Sequence, residues 1–277
     1  LIVQAAQARM DAAALAPSPL SIQSALALWC ALAEAADPST SGLVHVHLCT
    51  QLPAMTALVS HQAAQADVQI TAMQAMLALL RAAPDLDAAV LPDLARYTFV
   101  LLESAHACLG NVRDADATQE SVIVTYLHVV EELVRACTEA PMLHTWCLRA
   151  LEIMAPVLSL DVLRIPSISE ALATLIHALL IILRPALFAS AEGAEAVPNL
   201  AAPFDEPCFT RMPAFQLVVR ASLYLIGTCD ARTESVASAV AQGLGYVAEG
   251  LPSLTRPCPA VQVVMDDAIR QLCLLVF

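Results

Sequence analysis

Lysine is absent from the 277 residues, so all thirteen basic side chains are arginine; asparagine is nearly absent too, and both gaps are read as coding bias of a GC-rich gene. The arginines are dispersed along a chain of net charge −13, and this excludes a general nucleic-acid binder, which needs clustered cations to neutralise phosphates. Glycine is scarce at seven residues, and no Asn-Gly or Asp-Gly pair occurs, so the hairpin turns of an all-β protein have no material to form from. The nine cysteines form no CxxC pair and are odd in number, which excludes a disulfide framework and predicts a reducing compartment, cytoplasm or nucleus. Aromatics make up only 4% of the chain and have no interleaved arginines, which excludes a stacking platform for single strands.

Uninterrupted apolar runs are lacking as well, although the mean hydropathy is +0.68 and 58% of the residues are hydrophobic. The longest candidate, 171–183, is flanked by Glu170, interrupted by His177 and ended by Arg184 and Pro185, short of the roughly 18 residues a membrane span requires. Elsewhere a charge recurs every few turns, at Glu34, Arg81, Glu103, Glu131, Glu132, Arg135 and Glu152, the pattern of helices with one buried and one wet face. A helical membrane bundle stands as the least favoured alternative. Residues 1–10 carry no basic segment followed by a cleavage site, so no signal peptide is expected. The apolar run 272–277 stops without a cap, and the sequence reads as a piece of something longer.

What is present is helix. Breaks at 17–19, 37–42, 84–87, 110–118, 140–141, 164–166, 192–213, 229–233 and 250–259 separate segments with apolar spacing near 3.6. Starting at residue 20, these pair as 20–36 with 43–60, 65–83 with 88–109, 119–139 with 142–163, 167–191 with 213–228, and 234–250 with 260–277. Each pair spans roughly 40 to 50 residues, and such a hairpin buries its apolar side only by stacking on its neighbours. Ser167 with Glu170 has capping-box spacing, and Thr118 before Ser121 marks another helix start. Pro53 and Pro156 are expected to kink the helices that contain them. Segment 192–213, rich in proline, glycine and acids, reads as a long loop insertion.

The stretch 67–80, followed after Pro84 by 91–102, resembles a HEAT repeat: Asp67, Val68, Ala72, Ala75, Leu79 and Leu80 match the family's packing positions, while Gln69 stands where the family has a basic residue. A second copy with a weaker match begins at Asp230 and includes Ala239, Gly243 and Leu244. Within that family, 24–34, with Trp29 following an Ala-Leu pair and Glu34 closing the helix, looks like the helices of importin-β and exportin-type receptors, the karyopherins. The resemblance implies an all-α superhelix, a HEAT-like solenoid of about five helical hairpins over 1–277, with its concave face on the second helix of each pair. It implies a non-catalytic scaffold that binds protein partners, among them basic cargo segments and the Ran GTPase, and needs no cofactor, metal, nucleic acid or membrane. The alternative is a general assembly scaffold without a transport role.

The acids expected to meet a basic partner are Asp114, Asp116, Glu120, Glu192, Glu195, Asp205 and Glu206, at helix starts and in the long loop. His45, His47 and Cys49 are the densest metal-capable set, but on a helix only His45 and Cys49 share a face, so a core histidine and a core cysteine are the preferred reading. Cys137, His144 and Cys147 are read in the same way. The adjacent pairs Glu131–Glu132 and Asp266–Asp267 diverge by about 100° on a helix, which suits solvated faces and not an acid and base across a substrate. Trp29, Phe99, Tyr126, Trp146 and Tyr224 are expected to anchor packing.

Overall fold

The computed structural model describes residues 2–35, 41–82, 89–109, 116–138, 143–158 and 160–182, with the isolated residues Val218, Ala221, Ser222, Asp266 and Arg270. All regular structure among them is helical: α1 (Ile2–Leu15), α2 (Pro19–Ala35), α3 (Ser41–Thr50), α4 (Leu52–Ser60), α5 (Ala66–Arg81), α6 (Leu91–Leu109), α7 (Ala117–Ala136), α8 (His144–Met154), α9 (Leu160–Leu163) and α10 (Pro166–Ile182). The fold is all-α, as the period predicts. No described helix is long and apolar enough to cross a membrane. The chain divides into two compact units, Leu1–Ala150 and Leu151–Phe277.

In the first unit α5 is central. Eleven of its sixteen residues are buried, and Asp67, Gln74 and Arg81, seven apart, form its exposed stripe. A helix with so narrow a polar stripe must be covered on nearly every side. α2 and α7 flank it in one row, α1 lies beside α2, and α6 packs on α4, α5 and α7. Trp29 of α2, 1% exposed, and Tyr126 of α7 are among the largest side chains in this core. The Tyr126 hydroxyl donates to the carbonyl of Ala150 at 2.9 Å and fixes α8 against α7. Phe99 of α6 meets Trp146 of α8 with ring centroids 5.1 Å apart, and the Arg149 guanidinium lies 5.1 Å from the Phe99 centroid.

Several local expectations need correcting. The pairing that starts at residue 20 omits α1, an alanine-rich helix that buries Ala6, Met10 and Ala13 and packs on α2. Pro53 does not kink a helix; it lies in the first turn of α4, where its missing N–H costs nothing, and α3 ends before it. Pro156 sits in a 3-10 turn at 155–157 that terminates α8. α7 is capped by Asp116 and not by Thr118: Asp116 Oδ1 accepts from the Gln119 N–H at 2.8 Å, and Gln119 Oε1 accepts from the Asp116 N–H at 3.1 Å. α10 begins at Pro166, which puts Ser167 inside the helix and not at its cap.

Gln69 has a local use within the helix row. It is wholly buried, and its Nε2 donates to the carbonyls of Val59 and Gln62, both at 3.2 Å, so a neutral amide satisfies the end of α4. In the second unit α9 packs on α10, whose Ile168, Leu172, Leu175, Ile176 and Leu179 are buried, and the Ser169 hydroxyl donates to the Leu163 carbonyl.

Candidate protein-interaction surface

The exposed edges of α2, α5 and α7 meet in a charged seam. At the end of α5, Arg81 Nε lies 3.3 Å from Glu132 Oε1 of α7. On α2, the Cys30 thiol donates to Glu34 Oε1 at 3.6 Å. Burial first, and then the charge and hydrogen bond of Glu34, push the Cys30 thiol up to about 11, while the positive charge of Arg81 works in the opposite direction. Arg81 therefore stands within electrostatic reach of both neighbours. The last turns of α2 and α5 and the second half of α7 share one edge, so the three adjacent helices run in the same direction, and the chain between them returns through α3, α4 and α6.

Further along α7 the seam is stiffened by Glu131, which is only 8% exposed. Arg135 Nη2 donates to Glu131 Oε1 at 2.7 Å, and His128 Nδ1 lies 3.4 Å from Oε2. Burial alone would raise the Glu131 carboxyl, but the hydrogen bonds and charges of His128 and Arg135 outweigh it and hold the group at about 2. This corrects the reading of Glu131 as a solvated residue. Its missed signal was the spacing His128, Glu131, Arg135, three and four residues apart, which places all three on one face.

Of the acids expected to meet a partner, the structure describes two. Asp116 and Glu120 lie at the start of α7, at the opposite end from the seam, and Asp116 is engaged in capping. The fold does not gather them with Glu34, Glu131 and Glu132. Asp114, Glu192, Glu195, Asp205 and Glu206 lie outside the described residues, as do the 192–213 segment, Tyr224 and the second HEAT-like copy.

His45 is a core histidine: it is buried, and its Nε2 donates to the Ala33 carbonyl at 3.0 Å, which ties α3 to the end of α2. Cys49 is half-buried, and burial pushes its thiol up to about 11. No group of three metal-capable side chains occurs among the described residues. Cys137 and Cys147 do come together, with their Sγ atoms 3.3 Å apart. A separate cleft of about 360 Å³ opens between α1 and α4, with Met10, Ala54, Ala57 and Leu58 on its walls and Gln7, Asp11, Gln51 and His61 as its polar groups.

Comparison with protein-family models, with curated proteins and with solved structures finds no significant match.

Proposed function

We propose that the chain is a non-catalytic protein-binding scaffold of HEAT-like α-solenoid form, acting in the cytoplasm or nucleus, with the row α2, α5 and α7 as its binding face. The observation that carries this reading is the like-directed row itself, backed by α4 and α6, which pack on one another. Counted with α1 included, the helical pairs become α1 with α2, α3–α4 with α5, and α6 with α7. The row then consists of the second helix of each pair, the position expected for a concave face. Helices repeated in one direction present equivalent side chains at regular intervals, which favours an extended partner held by many modest contacts. The exposed Glu34 on the seam, and the charge of −13, favour a basic segment as that partner.

The resemblance of 24–34 to karyopherin helices makes cargo the partner, with Ran in its GTP form as its competitor. The test is capture from the source organism's extract, with and without excess hydrolysis-locked Ran–GTP, using the chain and a variant carrying Ala27→Arg, Glu34→Arg and Gln74→Arg. All three positions are exposed, so the variant keeps its core. The scaffold reading predicts a defined set of proteins bound by the native chain and lost from the variant; equal capture by both overturns it. Displacement by Ran–GTP supports transport, and indifference to it supports a general assembly scaffold.

A further inference from the structure

We propose that Cys137 and Cys147 are a redox modification site, an intrachain dithiol that a small peroxide converts to a disulfide joining the end of α7 to the first turn of α8. One thiol closes α7 and the other lies in the first turn of α8, and their Sγ atoms are 3.3 Å apart. Bond formation requires approach to about 2.05 Å. Cys137 is the C-cap residue of α7, just beyond the last helical residue, Ala136. The hydrogen bond from Tyr126 on α7 to the Ala150 carbonyl, one turn beyond Cys147, holds α8 against α7 and keeps the two thiols neighbours.

The surroundings select the oxidant. Cys137 is 1% exposed and Cys147 0%, so a bulky disulfide such as oxidised glutathione is shut out of a mixed intermediate, and the oxidant must be as small and uncharged as hydrogen peroxide. One sulfur attacks a peroxide oxygen and the O–O bond breaks; this gives a sulfenic acid, and the departing hydroxide takes up the thiol proton as water. The second sulfur then attacks the sulfenic sulfur, the S–O bond breaks, and its proton leaves with the hydroxyl as a second water. Two thiols and one peroxide become one disulfide and two waters. The neighbouring sulfur competes with further peroxide for the sulfenic acid and protects the pair from sulfinic acid. The half-buried Cys30, Cys49 and Cys108 are nearer the surface, and among the described residues only Cys137 and Cys147 bring two thiols into contact.

Trypsin provides a direct readout, because cleavage after Arg135 and Arg149 releases both cysteines in the single fragment 136–149. The folded chain is treated with hydrogen peroxide until its half-buried thiols have reacted, then unfolded, alkylated, digested and weighed. The expected result is a 136–149 fragment lighter by two hydrogen atoms that takes up alkylating agent only after reduction with dithiothreitol. A fragment alkylated at both cysteines without reduction overturns the proposal. Sulfinic acid at either position, or a bond from either to another cysteine, overturns it equally. The experiment uses the native sequence, so the result does not depend on a variant that fails to fold.

Discussion

Replacing Glu131 with glutamine tests whether a buried carboxylate organises the seam, and the size of the effect follows from the geometry. A carboxyl held at about 2 against an ordinary 4.5 corresponds to roughly 3 kcal/mol if the whole difference appears as stability. The side chains of Arg135 and His128 are 59% and 43% exposed, so solvent screening reduces this to about 1–2 kcal/mol. The sign follows from a folded value below the unfolded one. The stabilisation is fully present above about pH 4.5 and disappears as the pH falls towards 2. Urea denaturation of the native chain and of Glu131→Gln, followed by circular dichroism, should show the variant about 1–2 kcal/mol less stable at pH 7, with less than half of that gap left at pH 3. Comparing the two chains cancels the titration of every other carboxylate. A gap that does not change with pH, or a variant as stable as the native chain at pH 7, would refute the account of Glu131.

Other consequences are accessible to the same assay. Trp29→Ala removes a fully enclosed indole from the contact of α2 with its neighbours and should cost about 3–5 kcal/mol; a loss below about 1 kcal/mol would place Trp29 outside the core. Asp116→Ala removes the cap of α7 and should cost about 1 kcal/mol while leaving partner capture unchanged; reduced capture at undiminished stability would restore Asp116 as a contact residue. A double-mutant cycle on Arg81 and Glu132 should give a coupling of about 0.2–1 kcal/mol that shrinks in high salt, as their exposed ion pair across α5 and α7 requires; zero coupling at low salt contradicts that contact.

Helix content was legible because burial imposes a period, and the 65–83, 88–109 and 119–139 segments carry that period plainly. The matching helices α5, α6 and α7 differ from these bounds only at their ends. α1 was illegible as a partner helix because alanine dominates it; small side chains on every face give a helix without announcing which face is covered. Pro53 misled because proline within an apolar run marks either a kink or a fresh start, and only the end of α3 at Thr50 distinguishes them. The candidate site was less accessible still. Arg81 and Glu132 are 51 residues apart, and nothing in the local pattern of either helix announces the other. Glu131 was misread through its neighbour in sequence, whereas its partners lie one turn away in each direction. The contact of Cys137 with Cys147 depends on how α7 and α8 come together, which periodicity does not encode.

The claim that the row α2, α5 and α7 is the binding face is tested most directly by hydroxyl-radical footprinting of the chain, free and with its captured partner. The account predicts that side chains at the surface of this row, the exposed Glu34, Gln74 and Arg81 and the half-buried His128 and Glu132 among them, become protected together. Protection confined to the cleft between α1 and α4, or to residues 151–277, with the row left as reactive as in the free chain, would contradict it.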